Sequence, residues 1–182
     1  FEANPWIFGV SLAGQLLTSW SEERLEQVVA GSSISDSGKR ADALMRTAGV
    51  VRSMVFAEIK THRTDLLGPE YRPGCWRASI DLTGGVAQVQ GTVHRATLEV
   101  GERIADRAGD GSEIPGEFTY LLRPRSFLVI GRLDELVGEA GGVHNDRVRS
   151  FELFRRHLQE PEVVTFDELL ARAEWVVETS EE

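Results

Sequence analysis

The chain has 182 residues, 41% hydrophobic and 27% charged, a composition that fits one globular domain with a real core and excludes disordered or collagen-like chains. A formal net charge of -9 argues against nucleic-acid binding through bulk charge, while leaving room for a local basic groove. No window approaches 18 consecutive apolar residues and no signal-peptide pattern opens the chain, which disfavours membrane spanning and secretion; the single Cys75 fits a reducing, cytoplasmic setting.

In chain order, Glu22 to Ala30 is ambiguous between helix and strand, and its second half reads as strand. Residues 31–38 are turn-rich, Lys39 to Met45 alternates as a strand, and Ala48-Gly49 marks a reversal. Val50 to Ile59 then predicts a buried strand, followed by a polar loop from Thr61 to about Trp76. Between Asp81 and Arg107, Val86, Val89, Val93, Ala96, Val100 and Ile104 fall at helical spacing and predict the main helix. After a Gly/Asp/Pro-rich loop from Ala108 to Glu117, Phe127 to Ile130 is a short buried strand. Asn145 to Gln159 predicts a basic amphipathic helix and Val163-Val164 a short strand, and Thr165-x-x-Glu168 has the form of a capping box that opens a terminal helix. The order predicts an α/β fold, a central mixed sheet flanked by helices.

Chemistry concentrates at Glu58-Ile59-Lys60, where an apolar strand ends. With a period of two, Met54, Phe56, Glu58 and Lys60 share one strand face, and Arg40, Asp42, Leu44 and Arg46 share a face of the preceding strand. An antiparallel hairpin brings Asp42 beside Glu58 only if paired residue numbers sum to an even value. Two such carboxylates with the Ile59 carbonyl make an oxygen set suited to Mg²⁺ or Mn²⁺, and Lys60 beside it would neutralise charge on a phosphate. Gln88, between Val86 and Val89, is the polar member that the helix could point into the site, to hydrogen-bond the attacking water or the lysine. The competing reading is a plain salt bridge between Glu58 and Lys60.

The ordered set Asp42, Glu58-x-Lys60 and Gln88 resembles the PD-(D/E)xK nuclease superfamily. More narrowly, the chain resembles the nuclease domain of Shedu (SduA) proteins, which act in bacterial defence against phage. The resemblance is carried by Asn4-Pro5-Trp6-Ile7-Phe8-Gly9, Gly38 to Leu44, Val55 to Thr61, Leu82 to Gln88, Pro124 to Gly131 and Val164 to Leu170. It implies a PD-(D/E)xK restriction-endonuclease-like core and a metal-dependent DNA endonuclease. Asp42, Glu58 and the Ile59 backbone carbonyl would be metal ligands, Lys60 the catalytic lysine and Gln88 its helix support. Glu2 and, more weakly, Glu26 are candidates for a further acidic ligand, and Ala41 replaces the proline of the motif's name. The resemblance also implies a homo-oligomer, with a tetramer one option. A first residue that is not methionine suggests that 1–182 is a single nuclease domain excised from a longer protein with a missing N-terminal region. The alternative is a nuclease-like module that binds DNA ends or assembles subunits without cutting.

Other signals are weaker. Gly38-Lys39 lacks the spacing of a phosphate-binding loop, and the four histidines form no zinc pattern. His62 is either a phosphate contact or a solvated loop residue. Arg63, Arg72 and Arg77 near the triplet, and Arg147, Arg149, Arg155 and Arg156 on the later helix, could track a DNA backbone or pair with neighbouring acids. Trp6, Trp20, Trp76 and Trp175 read as packing anchors rather than base-stacking platforms.

Overall fold

The computed structural model describes residues 17–19, 42–47 and 50–180. The segments read at 22–30 and 31–41, the reversal at Ala48-Gly49, the Asn4 to Gly9 stretch, and Glu2, Glu26, Trp6 and Trp20 lie outside the described residues. A mixed sheet holds, in order, β1 (Leu17–Ser19), β2 (Ala43–Thr47), β3 (Arg52–Ile59), β7 (Glu113–Val129) and β6 (Arg103–Arg107), with β8 (Glu162–Val164) on β7. Two compact units are distinguished, residues 1–57 with 90–126 and residues 58–89 with 127–182.

In the first unit, β1 (Leu17–Ser19) pairs antiparallel with β2 (Ala43–Thr47), and β2 pairs antiparallel with the start of β3 (Arg52–Ile59). The strand expected to end at Met45 instead runs to Thr47, whose buried hydroxyl accepts the Ser53 N–H at 2.9 Å and so extends the ladder. Val50 and Val51, counted as strand from their side chains, are exposed in the connection between β2 and β3. Leu44, Met54 and Phe56 form a core with Ala96, Ile104 and Leu121, against which Val93 and Val100 pack.

The main helix, α1, spans Ile80–Val100 and stops before the expected Arg107. Gly101 ends it at φ 79°, donating its N–H to the Thr97 carbonyl at 3.0 Å, a left-handed stop that glycine adopts without a Cβ penalty. Ile104 still reaches the core, but from β6 (Arg103–Arg107), which pairs antiparallel with β7 (Glu113–Val129). The loop expected at 108–117 shrinks to a turn closed by the Ala108 N–H on the Ser112 carbonyl, 2.8 Å, before β7 begins.

The second unit replaces the loop expected at 61–76 with a hairpin, β4 (Leu67–Arg72) and β5 (Cys75–Ala78). Its turn is Pro73-Gly74, where Gly74 has φ 76° and donates its N–H to the Glu70 carboxylate at 2.8 Å. After the hairpin, the Ser79 hydroxyl accepts the Leu82 N–H at 2.9 Å and caps α1. The buried end of β7, Phe127 to Val129, pairs in parallel with β8 (Glu162–Val164). A short 3₁₀ turn, η1 (Leu133–Leu136), precedes α2 (Asn145–Arg156), and α3 (Phe166–Ser180) closes the chain. No helix among the described residues is long and apolar enough to cross a membrane.

The capping box at the start of α3 forms as the sequence predicts. The Thr165 N–H donates to Glu168 at 3.0 Å, and the Glu168 N–H returns to the Thr165 hydroxyl at 3.4 Å. Glu168 also accepts two bonds from Arg155, at 2.8 and 2.7 Å. Burial pushes its carboxyl upward, but Arg155 and the Thr165 N–H outweigh this and hold it below the ordinary glutamate value of 4.5. A carboxylate lowered in the folded state stabilises above its unfolded pKa, and that contribution fades as pH falls through the folded one. Denaturant titrations should therefore show Glu168→Gln less stable by about 1–3 kcal/mol at neutral pH. Its further decline below about pH 4.5 should be shallower than that of the wild type; parallel acid profiles would contradict this.

Candidate functional site

Glu58 and Lys60 stand at the exit of β3, where the strand's buried run from Met54 to Glu58 meets solvent. The Glu58 side chain is 5% exposed and that of Lys60 28% exposed, so the carboxylate is enclosed while the lysine is partly open to solvent. Lys60 Nζ donates to Glu58 Oε1 at 2.7 Å and to Gln88 Oε1 at 3.0 Å. The strand end is fixed by its backbone: the Lys60 N–H donates to the Val129 carbonyl at 2.8 Å, and the Gly131 N–H to that of Thr61 at 3.1 Å.

Gln88 arrives from α1, and a residue not singled out from sequence governs its distance. Gly85 lies three residues earlier on the same helix face. A Cβ there would meet both Leu128 methyl carbons at 3.0 Å. The missing side chain lets α1 lie close to the end of β7, which carries Gln88 to Lys60. The available signal was a glycine inside a helical pattern, which usually has a packing reason.

Glu58, Lys60 and Gln88 thus come together within the second unit. Asp42 belongs to the first unit and is exposed at the bend before β2. The observed register pairs Ala43 with Ala57 and Leu44 with Phe56, so paired numbers sum to an even value, as the sequence argument required. Among the described residues, no three of Asp, Glu, His and Cys converge as a side-chain metal cage.

Just beyond Lys60, an open polar cavity of about 400 Å³ is lined by His62, Arg63, Asp65, Arg132, Asp134 and Glu135. The Glu135 carboxylate accepts the N–H groups of Leu66 and Leu67 at 2.6 and 2.9 Å, tying down the chain as it leaves the site. His62 is exposed, with its ring edge-on to Phe166 at 6.1 Å. The later arginines are engaged within the fold. Arg149 pairs with Asp146 at 2.8 Å, Arg155 with Glu152 and Glu168, and Arg156 with Glu152 at 2.7 Å. Arg147 lies over the Trp76 ring at 5.6 Å and donates to the Glu135 carbonyl at 3.3 Å. Trp76 is half-buried beside His144, their centroids 5.0 Å apart, whereas Trp175 is exposed.

The domain is thus of the mixed α/β class, with one strand ending in a carboxylate–lysine pair met by a glutamine from the following helix. The model of the family described as Shedu protein SduA, C-terminal, matches residues 1–170. The chain is also 34% identical over 158 residues to Shedu protein SduA of Bacillus cereus (strain B4264), an alignment covering 86% of this chain and 39% of that protein. This chain belongs to the Shedu SduA C-terminal family and spans about two fifths of the length of the curated relative it matches.

Proposed function

We propose that this chain is the metal-dependent DNA endonuclease domain of a Shedu protein that acts in defence against phage. The observation that carries this reading is the Lys60 ammonium, held between Glu58 and Gln88 at 2.7 and 3.0 Å at the mouth of a buried strand. The Gln88 contact brings a group from a separate element onto the same ammonium, beyond the Glu58–Lys60 pair itself. Mg²⁺ or Mn²⁺ held by Asp42, Glu58 and the Ile59 carbonyl would supply Lewis-acid activation of water and of the scissile phosphate.

The chain's own residues do the rest. Glu58, enclosed and anchored on β3, offers a fixed negative oxygen at little cost in reorganisation. Lys60, partly open to solvent, presents a cation where a phosphodiester oxygen gains negative charge during in-line displacement. Gln88 accepts from Lys60 at 3.0 Å and gives the ammonium a second fixed partner beside Glu58. The domain works as part of a homo-oligomer in this proposal, in keeping with the family resemblance.

Supercoiled and linear plasmid incubated with Mg²⁺ or Mn²⁺ test the reading. Cleavage should disappear on adding EDTA, return with excess metal and be lost in Asp42→Ala. Cutting that persists in EDTA, or that Asp42→Ala retains in full, would sink the metal assignment. Metal-independent DNA binding with no cutting by any form would favour the module that binds without cleaving.

A further inference from the structure

We propose that the β4–β5 hairpin, with the turn that leads into it, is an arm that grips the DNA backbone beside the site, with Arg63 on the turn and Arg72 and Arg77 on the strands as phosphate contacts. The proposal rests on the nuclease reading above and deepens it by naming the surface that holds the substrate.

The arginines of the second unit divide sharply. Arg132, Arg149, Arg155, Arg156 and Arg172 each have a carboxylate within salt-bridge distance, and Arg147 is stacked on Trp76. Arg63, Arg72 and Arg77 are exposed and have no carboxylate partner among the described residues. All three fall in the segment that leaves the site at Lys60 and returns to it at Gln88. In a chain of net charge -9, the three exposed arginines of this unit that lack a carboxylate partner all lie on the connection between Lys60 and Gln88, which also carries Asp65, Glu70 and Asp81 and is neutral in sum. DNA carries one phosphate charge per roughly 1.7 Å of helix axis, and exposed guanidinium groups not held by a carboxylate are free to displace its counterions.

The connection is also built to bear load. At its base, the Glu135 carboxylate clamps Leu66 and Leu67, and the Ser79 N–H donates to the Leu66 carbonyl at 3.0 Å. One face packs on α2, where the Trp76 N–H donates to the Ser150 hydroxyl at 3.1 Å and Arg149 donates to the Gly74 carbonyl at 2.9 Å. On β5 the exposure alternates, so Trp76 and Ala78 are half-buried while Cys75 and Arg77 are open. Arg77 lies across Gly68 of β4, where a Cβ would come within 2.9 Å of its Nε. Near the tip, Tyr71 is 72% exposed with the Arg72 guanidinium 5.5 Å from its ring centre. A cation and an aromatic ring held together in solvent suit the edge of a sugar-phosphate backbone.

Cys75 supplies a built-in reporter: it is the chain's single cysteine, it is exposed, and it pairs directly with Arg72 across the hairpin. The test uses a short fluorescently labelled DNA duplex in EDTA, so that nothing is cut. Bound duplex should slow alkylation of Cys75 by iodoacetamide severalfold, and added salt should restore the free rate. In anisotropy titrations across a KCl series, replacing Arg63, Arg72 and Arg77 together by glutamine should reduce the slope of log K against log salt by about 2–3, near one per lost phosphate contact. An unprotected Cys75 on saturated protein, an unchanged slope, or no binding by the wild type would each overturn the arm. Both readouts are independent of cutting: a wild type that never cleaves defeats the nuclease reading without moving them. An unchanged slope in an enzyme that cleaves removes the arm alone.

Discussion

Replacing Lys60 by methionine should slow single-turnover DNA cleavage by on the order of 10²–10³-fold, the usual loss when one preorganised charge-stabilising donor is removed. Methionine keeps most of the side-chain length and removes the ammonium that Glu58 and Gln88 hold. Glu58 then loses its cation while 4% exposed, at a cost of up to about 3 kcal/mol. A melting curve recorded alongside shows that the loss of rate is not a loss of fold. Lys60→Arg separates charge from geometry. Its planar fork suits bidentate partners, whereas the site holds a point charge between one carboxylate oxygen and one amide oxygen. It should keep most of the stability and recover little of the rate. Full activity in Lys60→Arg would mean that charge alone is required and that the Gln88 contact is incidental.

The second large effect is expected at Gly131, where a substitution acts on the scaffold of the site. Gly131 follows the buried end of β7 with φ 60°, and a Cβ there would lie 2.6 Å from the Thr64 carbonyl oxygen and 2.7 Å from a Leu66 methyl carbon. Its N–H reaches Thr61 and its carbonyl accepts the Phe166 N–H, both at 3.1 Å, so it joins the chain leaving Lys60 to the start of α3. Gly131→Ala combines left-handed backbone strain with overpacking against a backbone atom, which together cost on the order of 2–5 kcal/mol. For a chain of this size that is a drop in Tm of roughly 5–20 °C. Calorimetry checks it, and a variant that melts with the wild type would show that the Thr61 to Leu66 segment yields readily.

The elements most legible in the sequence were those whose signal is local. The Thr165-x-x-Glu168 capping box, the end of the buried strand at Ile59 and the α2 start at Asn145 each appear where residue pattern places them. The errors share a physical origin. Val100 and Ile104 satisfy helical spacing, yet Gly101 stops the helix and Ile104 enters the same core from a strand, so side-chain burial was right and backbone conformation wrong. Residues 67–78 looked like a loop because only one face of the hairpin is covered and its register shifts twice, which blurs the period-two pattern. Glu58 and Lys60 were legible because charged residues are rare at the end of a buried strand, and Gln88 because it is a polar residue between two apolar helix positions. Gly85 and Gly131 were not, since their importance lies in what a Cβ would strike.

The most direct test of the central claim compares the wild type with Glu58→Gln on one linear DNA duplex in Mn²⁺, measuring binding and single-turnover cleavage on the same samples. Glutamine preserves the shape of a side chain that is 5% exposed while removing its charge. The account predicts that the wild type cuts, that Glu58→Gln binds DNA with similar affinity, and that its cleavage falls to background. Equal cutting by the two proteins would contradict it and return Glu58 and Lys60 to the role of a structural ion pair.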